Sequence, residues 1–207
     1  MEGPLPRLAA APVEALSFVG ATSAAHALRA TALGTGAMVA RARAAGFERV
    51  LVDTSGLIAP GLGRALKEAK IRAVDPDLLV CLQHARECEH ILERYAHVAR
   101  PEILRLPAFA AGRRRSAEER RRHRTTAFAA YFRDARAVEL DAALLAGDAP
   151  PGGLDGRIVG LLDAAGQTLG IGHVTRADAA RAMVTVETPV APGAVARVVV
   201  GQETYPR

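Results

Sequence analysis

Apolar and polar positions alternate along this chain with two different periods. Ala15 to Val19 is an apolar run of strand length, and His26 to Ala45 spaces Leu28, Leu33, Met38 and Val39 as a helix would before stopping at Gly46. Arg49 to Val52 reads as the next strand, and Gly61 to Arg72 as a helix with Leu62, Leu66 and Ala69 on one face. Leu78 to Leu82 is predicted as a strand, Glu87 to Ala99 as a helix and Ile103 to Leu106 as another strand. Such alternation implies an α/β unit whose mainly parallel sheet carries helices on both faces, and ligands of such sheets bind beyond the carboxyl ends of the strands. Gly20 to Ser23 and Asp53 to Gly56 fall at that rim.

Ser116 to Phe132 reads as a helix, with Ser116 as N-cap and Glu119 as its capping-box partner. After Arg136 the texture changes. Ala146 to Gly153 is rich in proline and glycine, and Arg157 to Leu162, Thr168 to Val174, Met183 to Glu187 and Ala194 to Val200 read as short strands, with a turn at Asp163 to Gly166. Two units are expected: an α/β domain over 1–134 and a small β-rich domain over 135–207.

The chain has 207 residues, half of them apolar, which suffices for one core of ordinary size and a smaller second unit. Its net charge of +5 is concentrated. Arg113 to Arg124 holds seven arginines against two glutamates, and acids and bases balance elsewhere. A cluster of this kind points to an anionic partner, with nucleic acid or nucleotide phosphate as first candidate. Lys67 and Lys70 are the only lysines, a skew that a GC-rich genome also produces and that is given no functional weight. Cys81 and Cys88 lack paired zinc spacing and suit a reducing cytoplasm. No apolar run reaches the ~18 residues of a membrane span, so a cytoplasmic protein is expected.

Asp53-Thr54-Ser55-Gly56 admits three readings: an ordinary strand-to-loop turn, a D-x-x-G switch of a GTPase, or a clasp in which the Thr54 hydroxyl and Gly56 amide hold a phosphate of a nucleic-acid end. The GTPase reading also requires a phosphate loop and N-K-x-D, and neither occurs. Gly34-Thr35-Gly36 and Gly61-Leu62-Gly63 are not phosphate loops, because no glycine in the chain precedes a lysine. His90, Glu93 and His97 share a helical face and imitate a metal site, but a solvated face explains them better. Arg120 and Arg124 are one helical turn apart, with Arg115 just before the helix. Two guanidiniums on one face can hold a transferring phosphoryl group together with its leaving phosphate.

The ordered set FVGATS, VLVDTSGL, GLGRALKEAKI, an apolar strand with Gln83, and RRRSAEERRRHR before Tyr131 and Phe132 resembles the polynucleotide 5′-hydroxyl kinases of the pre-mRNA cleavage complex and pre-rRNA processing. The resemblance implies a partial P-loop NTPase-type sheet and transfer of the ATP γ-phosphoryl, with Mg²⁺, onto an RNA or DNA 5′ end. It maps the family's T-x-G-W clasp onto Thr54, Ser55, Gly56 and Leu57, with leucine in place of tryptophan, and the arginine lid onto Arg120 and Arg124. Arg115 is expected near the substrate, and Asp53 to orient water or Mg²⁺. The family's G-x-x-x-x-G-K-[ST] and D-x-x-Q motifs have no counterpart in these residues. An N-terminally truncated, inactive form is therefore expected, through a misplaced start, a split gene whose other chain supplies the loop, or a degenerate paralogue. The alternative is a non-catalytic nucleic-acid-binding or assembly subunit.

Overall fold

The computed structural model describes residues 12–108, 116–146 and 153–206. Helix α1 (Leu28–Ala44) packs against α2 (Leu62–Val74), and the approach is close because Gly36 faces Ala73: a Cβ on Gly36 would lie 3.0 Å from the Ala73 carbonyl oxygen. On α2, Gly63, Leu66, Lys70 and Val74 form a buried stripe at helical spacing.

Strands β1 (Leu78–Gln83) and β2 (Glu102–Pro107) pair in parallel, from Leu78↔Glu102 to Gln83↔Pro107. The crossover holds a short helix α3 (Glu89–Leu92) and a 3₁₀ turn (Glu93–Tyr95) where the sequence predicts one longer helix. One face of the pair buries Cys81 with Cys88 and Leu92, against Ile58 and Ile103. Leu78, Val80 and Leu82 on the other face are exposed, as are their neighbours Leu104 and Leu106.

Helix α4 (Ala117–Tyr131) begins as its sequence predicts: the Ser116 hydroxyl accepts the Glu119 N–H at 3.1 Å, and the Ser116 N–H donates to the Glu119 carboxylate at 2.7 Å. The chain then forms a six-stranded sheet in the order β3-β7-β6-β5-β8-β4. Its strands are β3 (Arg136–Asp141), β4 (Leu145–Ala146), β5 (Arg157–Leu162), β6 (Thr168–Asp178), β7 (Met183–Thr188) and β8 (Arg197–Thr204). Neighbours are antiparallel except β4 and β8. Alternate residues Val159 and Leu161, Val184 and Val186, with Leu140, Val174 and Val198, fill its core.

Two predicted strands take another form. Residues 49–52 join no ladder, and Leu51 is 93% exposed; an apolar run becomes a strand only where a neighbour meets its backbone hydrogen bonds. Residues 15–19 likewise form no strand in the parallel sheet. They cross the C-terminal sheet instead, where the Phe18 N–H donates to Thr168 Oγ1 at 3.0 Å and the Gly20 carbonyl accepts the Gln202 N–H at 2.7 Å. The Phe18 ring occupies the space over Gly160, where a Cβ would come within 2.4 Å of it. No described helix is long and apolar enough to cross a membrane.

Candidate nucleic-acid 5′-end site

Asp53, Thr54, Ser55 and Gly56 form an exposed corner just before α2. Gly61, with φ of 89°, turns the chain into that helix, and Gly63 lets the helix press on the segment behind the corner, since a Cβ there would lie 2.6 Å from the Ile58 carbonyl carbon. The corner is therefore seated on the first turns of α2. Among the described residues, nothing lies within 4 Å of a Cβ built on Gly56, so its backbone is open to approach.

The corner is held from below by a residue that pattern reading passes over. Lys67 Nζ donates to Thr54 Oγ1 at 2.6 Å and also to the Ser55 carbonyl oxygen. Burial pushes the Lys67 pKa below the usual lysine range; Lys70 adds to the fall, and Cys88 and Asp53 oppose it. Lys70 is 9% exposed; its pKa is likewise lowered by burial, against the pull of Asp53. Asp53 thus sits in the field of two ammonium groups. The clue available in the sequence is their rarity: a chain that meets nearly all its cationic needs with arginine places its two lysines three residues apart on one helix.

Beyond the carboxyl end of β1 lies a second polar knot. Gln83 Nε2 donates to Glu89 Oε1 at 2.7 Å, and Gln83 Oε1 accepts the Cys88 N–H at 3.1 Å. Arg105 grips both Glu89 oxygens at 3.0 Å. These bonds, first from Arg105 and then from Gln83, hold the Glu89 pKa down at about 2. Burial, helped by Cys88, raises the Cys81 thiol to about 11, so it is an inert packing group.

Arg120 and Arg124 are exposed on α4. Arg124 lines a cleft of about 150 Å³ with Arg121, Thr125, Thr22 and Glu203. Thr22 is tied there, its hydroxyl donating to Glu203 at 3.0 Å. The other end of α4 is anchored to the C-terminal sheet, with Phe132 buried against His173 and Tyr205 at ring distances of 5.1 and 5.2 Å. Thr54 and Ser55 are thus tied to Lys67, and Asp53 acts on the charges of Lys67 and Lys70, whereas Arg124 belongs to a cleft that residues 53–56 do not line. Arg115 lies outside the described residues.

Residues 4–134 match the family described as mRNA cleavage and polyadenylation factor CLP1 P-loop. A polyribonucleotide 5′-hydroxyl-kinase of Thermococcus kodakarensis is 32% identical over 148 residues, covering 70% of this chain and 40% of its own. One from Pyrococcus abyssi is 35% identical over 100 residues, covering 47% and 27%. The chain therefore spans less than half the length of these relatives. Among solved structures, the wild-type Clp1p–Pcf11p complex is similar with a TM-score of 0.58 at 14% identity, covering 86% of this chain and 51% of that one. A second Clp1p–Pcf11p structure, of a Gly135Arg mutant that loses ATP, gives 0.58 at 16% identity, covering 86% and 52%. With the match running through residues 53–56, α2, β1, β2 and α4, the chain belongs to the CLP1 P-loop family.

Proposed function

We propose that this chain supplies the acceptor-binding and lid elements of an ATP-dependent polynucleotide 5′-hydroxyl kinase. The observation that carries the reading is the corner at Thr54 to Gly56, a hydroxyl held in place beside a glycine backbone open among the described residues, in a stretch that resembles the kinase family's clasp. In the proposal Thr54 and Gly56, with Ser55, receive the 5′ end of RNA or DNA. Arg120 and Arg124 bring positive charge to the transferring phosphoryl group and its leaving phosphate, and Arg115 extends that grip. Such transfer depends mostly on positioning and on charge neutralisation, so arginines on an anchored helix suit the task.

The two groups that the family implies fit unequally. Arginines on α4 match the anionic phosphates of ATP. A Mg²⁺ ion has no evident seat, because Asp53 already faces two ammonium groups, and among the described residues no three His, Cys, Asp or Glu side chains converge. Asp53 is accordingly assigned to orienting the lysines and solvent at the corner. No phosphate loop of G-x-x-x-x-G-K-[ST] type occurs in these 207 residues, so in the proposal that element comes from outside them. The Clp1p neighbours, solved with Pcf11p, support a place in a multi-protein assembly. A cytoplasmic setting agrees with the free thiols of Cys81 and Cys88.

The test incubates the purified chain with labelled ATP, Mg²⁺ and a 5′-hydroxyl oligonucleotide, with and without a kinase fragment that carries the phosphate loop. Label should pass to the oligonucleotide only in the mixture. Transfer by the chain alone would overturn the division of labour, and no transfer in the mixture would overturn the kinase reading. The exposed arginine face of α4 favours one rival, a non-catalytic nucleic-acid-binding subunit, whose mark is salt-dependent binding indifferent to ATP.

A further inference from the structure

We infer that Lys67 is a positioning residue that locks the Thr54 to Gly56 corner and fixes the Thr54 hydroxyl as a hydrogen-bond donor toward a phosphodiester oxygen at the nucleic-acid end. The inference rests on the proposed function for the identity of its ligand; the lock itself rests on geometry. A threonine hydroxyl has one proton and two lone pairs, so alone it can meet a ligand as donor or acceptor. Here the Lys67 ammonium, which can only donate, occupies a Thr54 lone pair at 2.6 Å, and its second bond goes to the Ser55 carbonyl. The Thr54 proton is thereby left to point away from Lys67, and the following backbone is pinned. The partner that such a hydroxyl recognises is an oxygen acceptor, and the neighbouring ammonium selects an anionic one.

Lys70 is buried one helical turn further on, and Asp53 offsets the two like charges. Arginine would be a poor replacement, since its broad planar fork cannot place one compact cation between a hydroxyl and a carbonyl on adjacent residues. That geometry accounts for lysine at this point in an otherwise arginine-rich chain.

With only two lysines, lysine-selective ¹⁵N labelling of the full chain yields two side-chain signals. Thr54→Val should shift the Lys67 signal and leave that of Lys70 in place; an unmoved Lys67 signal would show that the lock does not exist, whether or not the chain binds nucleic acid. Binding of a fluorescent 5′-hydroxyl oligonucleotide is then compared for the native chain, Thr54→Val, Lys67→Met, Lys67→Arg and the double variant Thr54→Val/Lys67→Met. Each single variant, Lys67→Arg included, should weaken binding by about tenfold, and the double variant by little more than either single one. Fully additive losses, or full rescue by Lys67→Arg, would overturn the positioning role and leave Lys67 as a simple charge. If the Thr54→Val shift is present but the native chain does not bind the oligonucleotide, the phosphodiester assignment and the kinase reading fall while the lock stands.

Discussion

The Tyr131 hydroxyl oxygen accepts the Ile171 backbone N–H at 2.9 Å and donates back to the Ile171 carbonyl at 3.3 Å. The β6–β7 pairing starts only at His173↔Glu187, so Ile171 lies beyond its end; there Tyr131 and Thr188, whose hydroxyl donates to the same carbonyl at 2.8 Å, satisfy the backbone. The arginine-bearing helix is thus tied at its aromatic end to the C-terminal sheet. Tyr131→Phe should cost about 0.5–1.5 kcal/mol in urea unfolding and speed amide exchange in residues 117–131, because it leaves the Ile171 N–H without that acceptor.

Gly63 makes a second prediction. A Cβ there would meet the Ile58 backbone at 2.6 to 3.0 Å, and backbone cannot swing aside as the end of a side chain can. Gly63→Ala should destabilise the fold by about 1–3 kcal/mol despite the better helix propensity of alanine, and should loosen the 53–56 corner. Urea titration and backbone amide exchange check the two effects.

Acid should weaken the fold through two groups with depressed pKa values. Glu89, at about 2 when folded, adds stability that is complete above its unfolded value near 4.5 and is lost as pH falls through about 2. His173, lowered mainly by burial against the opposing pull of Glu187, adds stability above its unfolded value near 6.5 that fades as pH falls below it. Unfolding free energies from pH 7 down to pH 2 should therefore decline in two stages. Glu89→Gln should flatten the lower stage only.

Arg120 and Arg124 should each contribute a phosphate contact. Arg120→Ala and Arg124→Ala should each reduce the slope of log Kobs against log salt for a single-stranded oligonucleotide by roughly 0.7. Arg94→Ala, on the crossover and paired with Glu68, should leave that slope unchanged. Fluorescence titrations at several salt concentrations measure both.

Much of this architecture is legible in the order of residues alone, and the exceptions share a cause. The α4 start can be read because Ser116 and Glu119 signal each other over three residues, and β5 matches its predicted Arg157–Leu162 span because a tight turn at Asp163 to Gly166 follows it. Residues 15–19 and 49–52 mimic strands because local apolar content cannot specify the neighbour a strand needs. Strand β3 is not among the predicted strands, although Val138 and Leu140 alternate with Glu139 and Asp141; that alternation covers only four residues, at the lower limit of a strand signal, and pairing with β7 completes it. At the site, Thr54 and Gly56 stand out as a motif, whereas Lys67 meets Thr54 only through the return of a loop over α2, thirteen residues away.

The most direct test is photocrosslinking with an oligonucleotide whose 5′-terminal nucleotide carries the reactive group, followed by mapping of the modified residues. Adducts at residues 53–57 and on α4 around Arg120 and Arg124, reduced by Thr54→Val, are the expected result. Adducts confined to the six-stranded sheet, unaffected by changes at Thr54, Arg120 and Arg124, would contradict the proposal that this corner and this helix receive the nucleic-acid end.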